Sequence, residues 1–459
     1  MGFAKWIPLA ATAASTALFF FGMGLSPVPA LAWLIPLPIL LVAKRISGWA
    51  AAGAGFFAGF VGSTNLWSWS AGSHDLPLLP WGLAVSVGFG GTFALAVTVF
   101  RLLPPPLAVV AAPAAWVTPL YLVSVLNPMG IVGTLATTQA DVPVVLQFAS
   151  ITGAWGVDYL VFFIPTAVAL LRPRIAVAAA GVAALVVFAG VYRMSSSPGP
   201  TVRVALVASD QKGWAADLNT PEGGQLLAAY LRQIEALPSG VQLVVLPEAA
   251  FGSTEESPAS LAEPMRRIAN DRGFTVVVGY AHWAPPKKYN YAISFPSGAR
   301  YLKHHDAVSP AGKDLVFADL GPVGIEICLD VNFRAPSASY AAAGANLLAI
   351  PASDEDANGW QHSRTALLRG VENGVGIAWS GRQTNLMLSD GYGRVLASQP
   401  TGPRPDGFTT AIADVPLGTD STPYTQLGDW FPWLCVALTA VGVGTVFVRK
   451  KSRPTEHVG

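Results

Sequence analysis

The chain has 459 residues, of which 52% are hydrophobic and 12% charged, and its net charge is +1. A mean hydropathy of +0.47 excludes a soluble cytosolic enzyme, because ordinary soluble domains carry about 25% charged residues. With 28 basic against 27 acidic groups, the charge gives no footing for nucleic acid, which calls for a basic face.

Residues 1–199 hold seven Lys/Arg and only Asp75, Asp141 and Asp158, so a membrane part is joined to a water-soluble one. Apolar runs of near-spanning length begin near Trp6, Val28, Gly48, Trp81, Pro106, Gly153 and Ile175, and a further run covers residues 430–448. Eight spans are expected. Basic residues near span ends stay cytoplasmic. Lys5, Lys44, Arg45, Arg101, Arg172, Arg174, Arg449, Lys450, Lys451 and Arg453 all fall on one side, while the alternate loops, residues 24–27, 71–79 and 127–150, contain no Lys or Arg. Arg193 alone is left over. The pattern predicts cytoplasmic termini, a seven-span membrane domain over 1–197, an external domain over 198–428, and a final span with a basic tail over 429–459.

Lys5, an apolar stretch and Ala30-Leu31-Ala32 imitate a cleaved signal peptide, but the run from Val28 continues unbroken through Ala43. Trp67, Trp69 and Trp81 read as interfacial anchors. Asp158, inside span six, is either a functional intramembrane carboxylate or one that pairs locally near the outer interface.

In the external part, residues 202–207, 241–246, 274–279, 290–295, 322–328, 346–351 and 375–380 read as buried strands. Amphipathic stretches over 224–237, 260–272, 335–343 and 362–373 alternate with them, which argues for a layered α/β domain. Residues 386–397 read as a hairpin turning at Asp390-Gly391.

Reactive groups collect where strands of an open α/β sheet end. Three such ends carry Glu248, Lys303 and Cys328. Cys435 lies inside the last span, so the exported domain has one thiol and no internal disulfide partner. A thiolate near a helix N-terminus and a Lys has a lowered pKa and is a nucleophile. A carboxylate in reach can take and return its proton, and a fixed ammonium can stabilise an oxyanion. Cys328, Glu248 and Lys303 fill those roles if the fold gathers them. A buried, inert Cys328 is the competing reading.

At these residues the chain resembles the nitrilase superfamily, on Leu246-Pro247-Glu248, Tyr301-Leu302-Lys303-His304 and Gly324-Ile325-Glu326-Ile327-Cys328. Within it the chain is most similar to the bacterial apolipoprotein N-acyltransferases, on Trp360-Gln361-His362, Leu368-Arg369-Gly370-Val371-Glu372-Asn373-Gly374, Gly391-Tyr392-Gly393-Arg394-Val395, Thr422-Pro423-Tyr424 and Gly428-Asp429-Trp430. The resemblance implies a multi-pass inner-membrane protein with an extracytoplasmic nitrilase-like αββα sandwich. It also implies a two-step reaction. Cys328 takes an acyl chain from a membrane phospholipid as a thioester, and the α-amine of a diacylated lipoprotein then accepts it, with no cofactor and no metal, in a monomer.

Where the family carries Pro-Phe-Gly-Glu after the Lys, this chain has Pro310-Ala311-Gly312-Lys313, and Asp306 or Asp314 is the replacement carboxylate to expect. Cys328-Leu329-Asp330 stands for Cys-Tyr-Glu, and Asn127-Pro128-Met129 for a Phe-Pro-Trp stretch. Glu326, two residues before Cys328, shares its strand face and reads as structural or as a site contact. Asp330 reads as a cap on the helix after the turn, with a chemical role as the alternative. The resemblance gives Glu372 the task of orienting backbone or Lys303. His304-His305 lacks a third metal ligand at suitable spacing. Two other functions fit the same residues: a membrane-tethered amidase or esterase with water as acceptor, and a non-catalytic receptor or scaffold.

Overall fold

The computed structural model describes residues 6–68, 77–131, 133–196, 199–306, 308–354, 358–418 and 421–451. Lys5, Trp69, Asp75 and Arg453 lie outside them. The chain divides into two compact units: Met1–Leu126, Ile131–Val191 and Leu427–Gly459 form the first, Asn127–Gly130 and Tyr192–Gln426 the second.

The first unit is helical. Leu78–Leu102, Pro105–Leu126 and Pro173–Met194 are long and apolar enough to cross a membrane; Ile7–Gly22, Pro29–Ala43, Pro143–Thr152, Ala154–Ala169 and Trp430–Val446 are shorter apolar stretches. The run from Val28 is helical at Pro29–Ala32 and Leu37–Ala43 and turns between them. Phe19, Phe89, Phe93, Trp116 and Phe162 form an aromatic centre, with Trp116 stacked on Phe162 at 5.3 Å. Glycine permits a close helix approach: a Cβ on Gly59 would lie 2.6 Å from Phe89 O, the small-residue contact that lets apolar helices pack.

Trp67 is held inside this unit, its Nε1 donating to Ser86 Oγ at 2.8 Å and its ring occupying the space a Cβ on Gly82 would need. Asp158 is fully buried, and its two oxygens accept from Leu135 N at 2.9 Å and Ala136 N at 3.1 Å. The stretch read as a bare loop over 127–150 therefore contains one-turn helices at Leu135–Thr138 and Pro143–Leu146. Elements that short show no periodicity, and the first is tied down by a carboxylate distant in sequence.

The second unit is a two-sheet α/β domain. Its strands are β1 (Thr201–Ser209), β2 (Ala216–Asp217), β3 (Leu243–Val245), β4 (Phe251–Ser253), β5 (Thr275–Ala284), β6 (Lys287–Phe295) and β7 (Ala299–Leu302), then β8 (Val323–Ile325), β9 (Leu347–Ser353), β10 (Gly376–Arg382), β11 (Asn385–Ser389), β12 (Val395–Pro400) and β13 (Phe408–Pro416). One sheet runs β13-β1-β3-β5-β4-β2, with β6 on β5 and β7 on β6; the other runs β12-β11-β10-β9-β8. The sheets face each other through β1 and β10 and through β5 and β9. This is why the central strands read as continuous apolar runs: both faces are covered.

Helices cover the outer face of the first sheet. Pro221–Glu235 starts at Thr220, whose Oγ1 accepts from Gly223 N at 3.1 Å, and buries Leu227, Tyr230 and Ile234. Ala259–Arg272 buries Leu261, Met265 and Ala269, spaced at one helical turn, and stops at Gly273 in the left-handed region. Both stripes pack on Ala205, Val207, Val244, Leu246, Val276 and Val278. The seven predicted strands and four predicted helices are all found; β2, β4, β7 and β13 were not anticipated as strands. β13 pairs with β1 at the sheet edge and is half exposed, which hides it from a search for buried runs.

Candidate active site

Glu248 leaves β3 in a turn where Ala249 has φ +45°. The turn presses on β5 so closely that a Cβ on Gly279 would lie 2.1 Å from Pro247 O and 2.6 Å from Glu248 Cα; glycine is what permits the approach. Lys303 follows β7 and is pinned through its backbone, donating from N to Asn290 O at 2.9 Å and accepting from Gly312 N at 2.8 Å. The two side chains meet. Lys303 Nζ donates to Glu248 Oε1 at 2.8 Å, and Asn290 Nδ2 donates to the same oxygen at 2.7 Å. Glu248 is 3% exposed and Lys303 7%. Burial works against the Lys303 ammonium, but Glu248, Cys328 and Asp306 outweigh it and hold the group charged, well above its ordinary pKa.

Cys328 opens a single 3-10 turn, Cys328–Asn332, after β8, and its φ of +43° is strained for a residue with a Cβ. The turn is clamped from two sides. The Asp330 carboxylate accepts from Ile327 N at 3.0 Å, from Tyr301 Oη at 2.7 Å and from His305 N at 2.8 Å. From the other side Arg369 donates Nε to Val331 O at 2.8 Å and Nη2 to Asn332 O at 3.3 Å, and pairs through Nη1 with Glu372 Oε2 at 2.6 Å.

The thiol is buried, and its pKa is pushed well up, first by that burial and then by the Asp354 and Glu248 carboxylates, with Lys303 pulling the other way. This corrects the expectation of a lowered thiol pKa. One ammonium and a single 3-10 turn do not offset desolvation and two carboxylates.

Two residues at this sulfur were missed as site residues. His362 Nδ1 lies 2.9 and 3.1 Å from the two Asp354 oxygens and 3.8 Å from Cys328 Sγ. Asp354 follows β9 and His362 sits in the helix Asn358–Asn373. Nothing in the sequence signals that the end of one strand, a helix and the Cys328 turn converge.

Residues 12–167 match the family described as the apolipoprotein N-acyltransferase N-terminal domain, and residues 203–417 match the carbon-nitrogen hydrolases. The chain belongs to the apolipoprotein N-acyltransferase family, in the nitrilase superfamily. Apolipoprotein N-acyltransferase 1 of Treponema denticola is 21% identical over 431 residues, covering 74% of this chain and 78% of that protein. The Geobacter metallireducens apolipoprotein N-acyltransferase is 29% identical over 136 residues, covering 28% of this chain and 25% of the relative, a quarter of its length. Among solved structures, Saccharomyces cerevisiae Nit3, a member of branch 10 of the nitrilase superfamily, has a TM-score of 0.39 at 21% identity and covers 49% of this chain and 93% of its own.

Of the two replacement carboxylates considered for this departure from the apolipoprotein N-acyltransferase pattern, Asp306 is the one that faces Lys303. Burial opposes its ionisation, but Lys303 and the Val308 and Ser309 amides hold its carboxyl below the usual range. Asn290 Nδ2 approaches its Oδ2 at 3.4 Å. Asp314 is exposed, and its backbone oxygen lies 3.2 Å from His304 Nε2. Glu326 is fully buried, its Oε2 accepting from Ser337 Oγ at 3.0 Å, and burial followed by the nearby Asp330 pushes it up to about 8. Glu372 reaches the Cys328 turn through Arg369. His305 stacks on Phe333 at 3.7 Å and has its Nδ1 3.1 Å from Asp330, so the two histidines have separate neighbours.

Proposed function

We propose that the protein transfers an acyl chain from a membrane phospholipid to the amine of a diacylated lipoprotein. The observation that carries this reading is the buried Lys303–Glu248 ion pair beside the strained Cys328 turn, in a chain whose N-terminal part matches the acyltransferase family. Glu248 accepts the Cys328 proton as sulfur attacks the ester carbonyl. Lys303 stabilises the oxyanion. The C–O bond breaks, the proton passes from Glu248 to the leaving lysophospholipid oxygen, and a thioester stays on Cys328. The acceptor amine then attacks, gives its proton to Glu248, and the C–S bond breaks to restore the thiol. Asp306 keeps Lys303 charged in place of the family's missing carboxylate.

The same reading places eight spans in a bacterial inner membrane, with both termini cytoplasmic and residues 198–428 outside. It is supported by the ten basic residues that share one side. The membrane domain over 1–197, the external domain over 198–428 and the terminal span and tail over 429–459 then act as a monomer beside both lipid substrates. The test is purified protein with labelled phospholipid and a diacylated lipopeptide. N-acylated peptide is the expected product; free fatty acid without it would reject transfer in favour of hydrolysis.

A further inference from the structure

Beside the Lys303–Glu248 pair, three buried side chains point one donor atom each at a common spot. Cys328 Sγ, an Asp354 carboxylate oxygen and a His362 ring nitrogen lie within 4.8 Å of one another. We propose that Cys328, Asp354 and His362 form a binding site for a thiophilic divalent cation, zinc above all, and that occupancy switches the nucleophile off. Only that last clause rests on the acyl-transfer reading; the binding site itself does not.

The donor set selects the metal. Sulfur, imidazole nitrogen and one carboxylate oxygen suit Zn2+, whereas Mg2+ and Ca2+ call for oxygen alone. Around a tetrahedral zinc with bonds of about 2.0–2.3 Å, donors stand roughly 3.3–3.8 Å apart. The Sγ to Nδ1 distance of 3.8 Å already meets this, and the Asp354 oxygens, at 2.9 and 3.1 Å from Nδ1, need to open only by a few tenths of an ångström. Three protein donors leave a fourth position for water.

Charge points the same way. Among the described residues Glu248 is paired with the Lys303 ammonium, whereas the Asp354 carboxylate next to the thiol meets the His362 imidazole. On binding, the thiol releases its proton to solvent, a metal–sulfur bond forms, and no electron changes hands. Thiolate and carboxylate together then balance the dication.

His362 is committed to this spot. It is 4% exposed, its ring edge is set against Trp379 at 5.0 Å, and its Nε2 has no hydrogen-bond partner among the described residues, so Nδ1 makes its polar contacts. A metal here would occupy the sulfur lone pair that attacks the ester.

The experiment uses the full chain in detergent, stripped by a chelator, with Zn2+ alone in equilibrium dialysis and Cd2+ as an ultraviolet probe of metal–thiolate bonding. The expected result is one equivalent of Zn2+ per chain and a Cd2+–thiolate band. C328A should abolish the band, and Asp354→Asn and His362→Gln should each weaken Zn2+ binding by at least about tenfold. Wild-type protein without the band overturns the proposal whatever the variants do, and so does undiminished Zn2+ binding in all three. The dialysis needs no turnover, so failure of the acyl-transfer reading leaves its outcome interpretable. If acyl transfer is active, Zn2+ should stop it and chelator should restore it.

Discussion

Lys303 Nζ and Asn290 Nδ2 converge on one atom, Glu248 Oε1, at 2.8 and 2.7 Å. Both contacts fall on the same oxygen, so under the acyl-transfer proposal Oε2 is the seat for a transferred proton. Glu248→Gln removes that seat while keeping the side chain's shape. Formation of an acyl adduct on Cys328, read by intact mass after exposure to phospholipid, should fall by about 10²- to 10⁴-fold.

Lys303→Met acts differently, because it strands the Glu248 carboxylate in the interior. Breaking one side of a buried pair costs about 3–5 kcal/mol, so the melting temperature should drop clearly. The double variant Lys303→Met with Glu248→Gln should recover most of that loss and still form no adduct. A double variant as unstable as the single one would show that the ion pair is not the source of the effect.

The thiol's surroundings make a prediction of definite sign. Burial, Asp354 and Glu248 raise the Cys328 pKa, and Lys303 and the contact with the Ser353 carbonyl lower it. At neutral pH, alkylation of Cys328 by iodoacetamide should be slow and should climb with pH. Asp354→Asn removes a negative neighbour and should speed it in chelator-containing buffer; Lys303→Met should slow it. Peptide mapping separates Cys328 from the buried Cys435. Slower alkylation in Asp354→Asn would contradict the assignment.

What the sequence made legible follows from what each signal measures. Strands such as β1 and β10 declared themselves because both faces are buried, and the helix Pro221–Glu235 because one face is. The half-exposed β13, the two-residue β2 and the one-turn helices over 135–152 carry no such period. Apolar runs marked the longer helices of the membrane part, but not where a run would break, as it does between Ala32 and Leu37.

The Glu248, Lys303 and Cys328 positions were readable from motifs at strand ends. The Asp354–His362 contact was not, since it depends on where β9 ends relative to the helix that follows. Proximity to Lys303 suggested a reactive thiolate; burial first, then the Asp354 and Glu248 carboxylates, reverse the sign, and neither the burial nor the approach of Asp354 is visible in the sequence.

Arg369 ties the Cys328 turn to the helix behind it, donating to Val331 O and Asn332 O while pairing with Glu372. Arg369→Met leaves two carbonyls and a carboxylate buried without these donors. The expected loss is about 3–5 kcal/mol, and Glu372→Gln should cost less, about 1–3 kcal/mol, because a neutral amide can still accept from the guanidinium. Denaturant unfolding of the two variants orders them. If Glu372→Gln proves the more damaging, Glu372 has a task beyond holding Arg369.

Glu326 gives the pH dependence of stability. Its carboxyl is fully buried and pushed up to about 8 from an ordinary 4.5, so at neutral pH it is held mostly protonated. The folded state binds this proton more tightly than the unfolded chain. The resulting stabilisation is complete below pH 4.5, shrinks as pH rises from there, and is gone above about 8. Over that window it amounts to a few kcal/mol. Glu326→Gln keeps a neutral side chain of the same shape at every pH. Its stability relative to wild type should therefore rise from about pH 5 to about pH 8 and level off above that, as followed by thermal melting of both proteins in matched buffers. A difference that stays flat across the window would mean that Glu326 is already ionised in the folded protein, and its burial would then need a cation other than those now beside it.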